Sequence, residues 1–147
     1  MKGDKIPNYD HIARYCKPIT VEDGQIQATA FMVRIGEESL SVNWLEFLNC
    51  SSRENEIAEL RKIYSRKFNK VGMSAKIAVL NIGEVCEKVL TKSPDRRKLE
   101  VLHAPIENYS SHKNDPSHSE ICNLKQDDEL IAELILELVR ETYSARI

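Results

Sequence analysis

The sequence contains no long apolar run, and this absence excludes a membrane-spanning helix. The longest uninterrupted runs have about four apolar residues, as in Ile77 to Leu80, whereas a transmembrane helix needs roughly 20. The first residues, Met-Lys-Gly-Asp-Lys-Ile-Pro-Asn, also lack the apolar stretch of a secretory signal peptide. We therefore expect a cytoplasmic protein that does not act on membranes.

Glycine and proline are scarce. Five residues of each type in a chain of 147 argue against a loop-dominated or low-complexity protein. Hydrophobic residues make up 41% and charged residues 30%, which is typical of a soluble globular protein. The length predicts a single domain, residues 1–147, that is large enough to bury a core.

Closely spaced cysteine pairs are absent. The four cysteines (Cys16, Cys50, Cys86 and Cys122) are spread evenly, with no Cys-x-x-Cys motif. In a chain without an export signal, this spacing favours reduced, buried thiols over a disulfide framework. It also disfavours a four-cysteine zinc site, because structural zinc sites usually draw ligands from tight pairs.

Motifs with a known catalytic or cofactor-binding mechanism are absent as well. The sequence has no glycine-rich phosphate loop, Walker motif, Gly-x-Ser-x-Gly elbow or His-Glu-x-x-His pair. We therefore expect no cofactor, and the sequence does not decide whether the protein is an enzyme.

The middle of the chain has few acidic residues. No acidic residue lies between Glu59 and Glu84, and residues 61–98 carry a net charge of +8. The flanking segments are acidic, at −4 for residues 1–60 and −6 for residues 99–147. Such segregation indicates either a charged partner or a basic segment that folds against the acidic ends.

Hydrophobic periodicity predicts three helices. A capping box, Ser51-Ser-Arg-Glu54, precedes apolar residues at three- and four-residue spacing, and a second, shorter helix is expected over Gly83–Leu90. The wide apolar stripe after Asp127 predicts a long C-terminal amphipathic helix that continues toward Arg146.

Strand patterns fall between these helices. Leu40–Trp44, Lys76–Leu80, Lys98–Ala104 and His118–Asn123 are predicted strands, and Val21 to Ile35 is a candidate hairpin around Asp23-Gly24. Residues 11–16 are expected to form a helical turn that ends before Pro18. The fold class is therefore α+β, a small and mostly antiparallel sheet packed against two or three helices.

Three of the four histidines, His103, His112 and His118, lie within sixteen residues. If the strands on either side of this loop are neighbours, His103 and His118 lie at the same end of the sheet. The two imidazoles could then act as an acid–base pair on a phosphate, or together with Glu120 hold a divalent metal. A solvated surface loop explains the same residues, and His112 fits that reading best.

Two further groups of cations are candidates for binding. The basic segment offers a set of five for nucleic acid or a protein partner: Arg61, Lys62, Arg66, Lys67 and Lys70. Tyr64 and Phe68 lie on the apolar face of this helix, so they are expected in the core and not as exposed stacking rings. Arg14 could bind a phosphate, although a salt bridge to one of the many acids is the more ordinary role.

Three short motifs carry a resemblance. Asp10-His-Ile-Ala-Arg-Tyr-Cys16, Leu40-Ser-Val-Asn-Trp-Leu-Glu46 and Asp115-Pro-Ser-His-Ser-Glu-Ile121 are similar to landmarks of small uncharacterised bacterial proteins from mobile-element and anti-phage gene neighbourhoods. The resemblance implies a bacterial origin and a role in such a system, but no mechanism.

The sequence thus favours an accessory protein that binds a protein partner in a bacterial defence or mobile-element system. The alternatives are a phosphodiesterase or nuclease that uses His103 and His118, and nucleic-acid binding through residues 61–76.

Overall fold

The computed structural model describes residues 3–107 and 114–146, which form an α+β fold. Its main sheet has six antiparallel strands, which in chain order are β1 (His11–Cys16), β4 (Leu40–Trp44), β5 (Lys76–Asn81), β6 (Glu100–His103), β7 (His118–Cys122) and β8 (Glu141–Ser144). Their order across the sheet is β6-β7-β4-β1-β5-β8. A separate two-stranded hairpin consists of β2 (Val21–Glu22) and β3 (Gln25–Ile26).

Helices cover both faces of the sheet. On one face, helix α1 (Arg53–Lys67) buries Ile57, Leu60 and Tyr64 against Ala13 and Val79. On the other, α2 (Ile82–Lys92) and α3 (Glu129–Leu136) pack against a second apolar cluster formed largely by the strands. Burial on both faces explains why β5 is an almost continuous apolar run.

Local signals position the helix starts well. The Ser52 hydroxyl accepts a hydrogen bond from the Asn55 backbone amide at 3.1 Å, so the cap is one residue later than the predicted capping box. The Asp128 carboxylate accepts from the Ile131 amide at 3.1 Å and caps α3. The predicted turn at Asp23-Gly24 is confirmed, because both residues have positive φ (51° and 77°) between β2 and β3.

Two expectations about the ends of the chain are wrong. Residues 11–16 form the strand β1 and not a helical turn, because the tertiary structure places them between two partners, β4 and β5. The predicted long C-terminal helix is only eight residues long. After α3 the chain turns, the Arg140 amide donates to the Val79 carbonyl, and β8 pairs with the free edge of β5.

Part of the predicted hairpin is also not strand. Only residues 21–22 and 25–26 pair, and Ala28–Phe31 forms a 3₁₀ turn that buries Ala30 and Phe31. Within the described part of the chain, no helix is both long and apolar enough to cross a bilayer.

The sheet opens between β1 and β4. These strands pair only at Ile12↔Trp44 and Ala13↔Asn43, although β1 continues to Cys16 and β4 begins at Leu40. Beyond Ala13, β1 remains paired with β5, and β4 remains paired with β7. The divergence leaves a gap in the middle of the sheet.

Candidate functional site

A cavity of about 790 Å³ occupies the opening between β1 and β4. Its size lies in the range of small-molecule and cofactor sites. We call it the cationic cleft, because its lining includes five cations: Arg14, Lys17, Arg34, Lys67 and Lys70. Among the described residues that line it, Glu37 is the one carboxylate.

Arg14 lies where the two strands separate. Its Nε donates to the Ala30 carbonyl at 2.9 Å, and its Nη1 donates to the Ser41 carbonyl at 2.8 Å, which bridges the gap. Burial lowers the pKa of the guanidinium, and the nearby Arg34 lowers it further. Within residues 3–107 and 114–146, Arg14 forms no ion pair. The expectation that Arg14 closes a salt bridge is therefore not met among these residues.

Lys17 and Arg34 add to this concentration of positive charge. The pKa of Lys17 is lowered first by burial and then by the positive charges of Arg34 and Arg14. Neither Lys17 nor Arg34 pairs with a carboxylate in the described part of the chain. The Glu37 carboxylate acts in the opposite direction and raises the pKa of both Arg14 and Lys17. Three cations against one carboxylate leave a net positive region where a bound anion is favourable.

A buried polar network forms the wall beside these cations. The Asn43 amide nitrogen donates to Asp115 at 2.8 Å and 3.0 Å and to the Ser117 hydroxyl at 2.9 Å. The Tyr64 hydroxyl donates to the Asn43 amide oxygen at 2.8 Å. Lys67 Nζ lies 2.8 Å from the fully buried Asp115 carboxylate. The amide hydrogen bonds restrain Asn43 and the ion pair with Asp115 restrains Lys67, so two groups of the cleft are fixed in place.

Aromatic rings form another wall of the cationic cleft. The rings of Tyr15 and Phe68 have centroids 4.5 Å apart, and those of Tyr15 and Tyr64 are 5.0 Å apart. Tyr64 is buried, in agreement with the expectation for this helix face, whereas Tyr15 and Phe68 are only half-buried. The half-buried rings offer flat apolar surface next to the cations.

His118 is the histidine that lines the cleft among the described residues. It is the direct cross-strand partner of Asn43, so the two side chains lie on the same face. Its Nδ1 lies 2.8 Å from the Ala104 carbonyl oxygen, which can only accept, so Nδ1 carries the proton and Nε2 is the basic nitrogen. Burial lowers the pKa of this imidazole, which keeps it neutral at pH 7.

His103 lies on the opposite face of the sheet. The strands β6 and β7 are neighbours as expected, but His103 pairs with Ser119, so its side chain points away from that of His118. His103 donates from Nε2 to the Pro116 carbonyl at 2.7 Å and packs against Trp44 and Phe47, with ring centroids 5.1 Å and 4.8 Å away. The structure therefore does not bring the two imidazoles together at one site.

The other candidate residues of the histidine region are Glu120 and His112. Glu120 accepts a hydrogen bond from the Ser39 hydroxyl at 2.7 Å. His112 lies outside the described residues. Among the residues that are described, no group of three His, Cys, Asp or Glu side chains could hold a metal ion, and the combination of His103, His118 and Glu120 is no exception. All four cysteines are free thiols, and burial raises the pKa of Cys16 to about 12.

The predicted basic segment divides into two groups. Lys67 and Lys70 line the cationic cleft. Arg61 donates to the Ser144 carbonyl at 2.9 Å, Lys62 lies 3.8 Å from Glu59, and Arg66 is exposed on α1 outside the cleft. The basic segment therefore does not form one continuous binding surface.

Sequence reasoning missed most of the cleft. Lys17, Arg34, Asn43, Tyr64 and Asp115 were not predicted as site residues, and no spacing rule connects them. A usable signal was present in the three motifs that carried the resemblance. They correspond to β1, β4 and β7 with the residues before β7, and these strands are neighbours in the sheet.

Comparison of the chain with protein-family models, with curated proteins and with solved structures found no significant similarity. Function is therefore inferred from the geometry of the cationic cleft.

Proposed function

We propose that the protein binds a nucleoside phosphate in the cationic cleft, either as a free nucleotide or as a unit of a single nucleic-acid strand. The observation that carries this proposal is the cluster of Arg14, Lys17 and Arg34, which no described carboxylate neutralises through an ion pair. Guanidinium and ammonium groups are the usual ligands of phosphate, and a phosphate would relieve their mutual repulsion.

The rest of the cleft supports a nucleotide over a simple inorganic anion. The volume of about 790 Å³ exceeds what a phosphate alone needs. Tyr15 and Phe68 provide half-buried rings on which a base can stack. The Ser41 and Asn43 residues also line the cleft, and the amide of Asn43 is held by hydrogen bonds inside the protein, so it shapes the wall of the site.

Binding is best tested with two variants of equal charge change. Lys17→Gln/Arg34→Gln removes two cations of the cleft, whereas Lys62→Gln/Arg66→Gln removes two exposed cations of α1 that lie outside it. Arg14 and Lys67 are less suitable, because their hydrogen bonds hold the fold. Fluorescence anisotropy with short single-stranded RNA and DNA, and calorimetry with AMP and ATP, measure affinity for the strand and for the free nucleotide.

We expect the cleft variant to lose at least about tenfold in affinity and the α1 variant to lose less than about twofold. For a strand, the slope of log affinity against log salt concentration should fall by roughly 0.7 for each phosphate contact removed. Equal losses in the two variants would instead support the continuous basic segment and contradict the cleft. An absence of binding to every strand and nucleotide would reject the proposal outright.

A protein partner is the second candidate. Three large apolar side chains near the cleft are strongly exposed: Ile19 at 88%, Ile35 at 84% and Met73 at 82%. Ile19 lines the cleft, Ile35 follows Arg34, and Met73 follows Gly72, which packs against Pro18. Exposed apolar residues beside cations are typical of a docking surface for an acidic protein.

The role in a bacterial defence or mobile-element system, which the resemblance implies, belongs to this second candidate. Affinity purification from a native host, with Ile19→Ser/Ile35→Ser as the comparison, tests it. The same acidic protein should be retained by the natural sequence and lost with the variant. Retention by both would show that this surface is not the contact.

A further inference from the structure

We propose that the cationic cleft cleaves single-stranded RNA, with His118 Nε2 as the base that removes the proton of a ribose 2′-hydroxyl. This inference rests on the proposed nucleoside-phosphate site and adds a reaction and a substrate class to it. It concerns His118 alone, without His103.

The position of His118 suits this role. The Nδ1–H···O=C bond to Ala104 fixes the ring and its tautomer, so Nε2 is the basic nitrogen of the ring. His118 lies beside Asn43 in the cleft wall, and both line the same cavity as the phosphate-binding cations. The cavity therefore contains a base and phosphate ligands, two of the elements that RNA transesterification uses.

Among the described residues, three charged groups act on His118. Burial has the largest effect and lowers the pKa of His118, whereas the bond to the Ala104 carbonyl raises it. Of the charged groups, Lys67 on α1 lowers the pKa, and Asp115, before β7, and Glu120 on β7 raise it. The imidazole therefore stays unprotonated at neutral pH, as a base must be. Lys67 also lines the cleft, where its ammonium group is held by the ion pair with Asp115.

The substrate follows from the nucleophile. The 2′-hydroxyl of RNA is adjacent to the phosphodiester, so one base is sufficient to activate it and no water need be positioned. Nε2 takes the 2′ proton, the 2′ oxygen bonds to phosphorus, and the bond from phosphorus to the 5′ oxygen breaks. The leaving oxygen takes a proton from water, and Nε2 returns its proton to the resulting hydroxide. The products are a 2′,3′-cyclic phosphate and a 5′-hydroxyl.

The first experiment compares substrates and needs no variant. A fluorescent single-stranded RNA is incubated with the full chain beside the same sequence as DNA and as 2′-O-methyl RNA, and product ends are identified by mass spectrometry. We expect cleavage of RNA alone, with cyclic phosphate and 5′-hydroxyl ends. Cleavage of DNA at a similar rate, or RNA products with 5′-phosphate ends, would overturn the inference.

The second experiment removes the base. His118→Gln should lower the cleavage rate at least about 100-fold, in line with the usual contribution of a general base. Its affinity for uncleavable 2′-O-methyl RNA should change by less than about twofold. The control is His11→Gln, because His11 is bonded to Glu46 and does not line the cleft.

The pH profile distinguishes catalysis from a merely structural role. The natural sequence should show a rate that rises with pH through the pKa of His118 and then levels off, and the residual rate of His118→Gln should lose this dependence. An unchanged profile in the variant, or equal losses in both histidine variants, would count against the inference. If 2′-O-methyl RNA binds but RNA is never cut, the catalytic inference fails while the binding proposal stands.

Discussion

At the residue scale, we expect the Tyr64 hydroxyl to contribute to the stability of the fold. Its OH donates at 2.8 Å to the Asn43 amide oxygen, and both groups are buried. Tyr64→Phe leaves that oxygen without this donor, so we expect the free energy of unfolding to fall by about 1–3 kcal/mol. Urea denaturation measures the difference. Tyr9→Phe, at a side chain that is 78% exposed, is the control and should change stability by no more than about 0.5 kcal/mol.

His118 predicts a pH dependence of stability. Burial lowers its pKa in the folded state relative to the ordinary value of 6.5, so below that value the unfolded chain binds more protons. The stabilisation is complete above about pH 6.5 and is lost as the pH falls through the lower, folded pKa. Urea denaturation at pH 7.5 and pH 5.5 should therefore show that the free energy of unfolding falls more on acidification in the natural sequence than in His118→Gln. A larger loss in the variant would reverse the sign and refute this account.

At the scale of elements, the start of α1 depends on one cap. The Ser52 hydroxyl accepts from the Asn55 backbone amide, whereas the Ser51 hydroxyl accepts from the exposed Asn55 side chain at 3.0 Å. Ser52→Ala should lower the free energy of unfolding by about 1 kcal/mol, because a backbone amide loses its partner. Ser51→Ala should lower the free energy of unfolding by a few tenths of a kcal/mol at most. Thermal or urea denaturation of both variants decides between the two serines, and the reverse order would assign the cap to Ser51.

Element type was predictable where the pattern is local. The periodicity of α1 and α2, the apolar run of β5 and the alternation of β4 all match the structure. The two errors at the ends of the chain share a cause. Residues 11–16 and 141–144 have ambiguous patterns, and each becomes a strand because β5 offers it an edge to pair with. Pairing with a distant strand overrides weak local preference.

For the molecule as a whole, one sheet joins two apolar clusters. Leu60 belongs to the cluster under α1, whereas Trp44 packs against the cluster under α2 and α3. Leu60→Ala should lower the free energy of unfolding by about 2–5 kcal/mol. Because the strands between the clusters are shared, Trp44 fluorescence and circular dichroism should report the same shifted transition. Two separate transitions would show that the faces unfold independently.

The distribution of charge also depends on the whole molecule. Of the two interpretations that the segregated sequence allows, the structure realises in part the folding of the basic segment against the acidic ends, whereas a charged partner stays a prediction. Lys67 pairs with Asp115 and Lys88 with Glu137, which links the basic segment to the acidic C-terminal part. Lys70 instead lines the cleft together with cations from residues 1–60.

The amino-acid sequence alone was sufficient to identify the α+β class, most helix starts and the strands that flank the histidine loop. Periodicity and capping depend on only a few neighbouring residues, so they can be read from the sequence. Of the residues that line the cleft, the sequence pointed to His118, Lys67 and Lys70, each as one of a larger group of candidate site residues. Strand order and register decided the rest: they separated His103 from His118 by the alternation of faces, and they opened the gap that Arg14 bridges. Such choices depend on contacts between residues far apart in the chain, so no short segment encodes them.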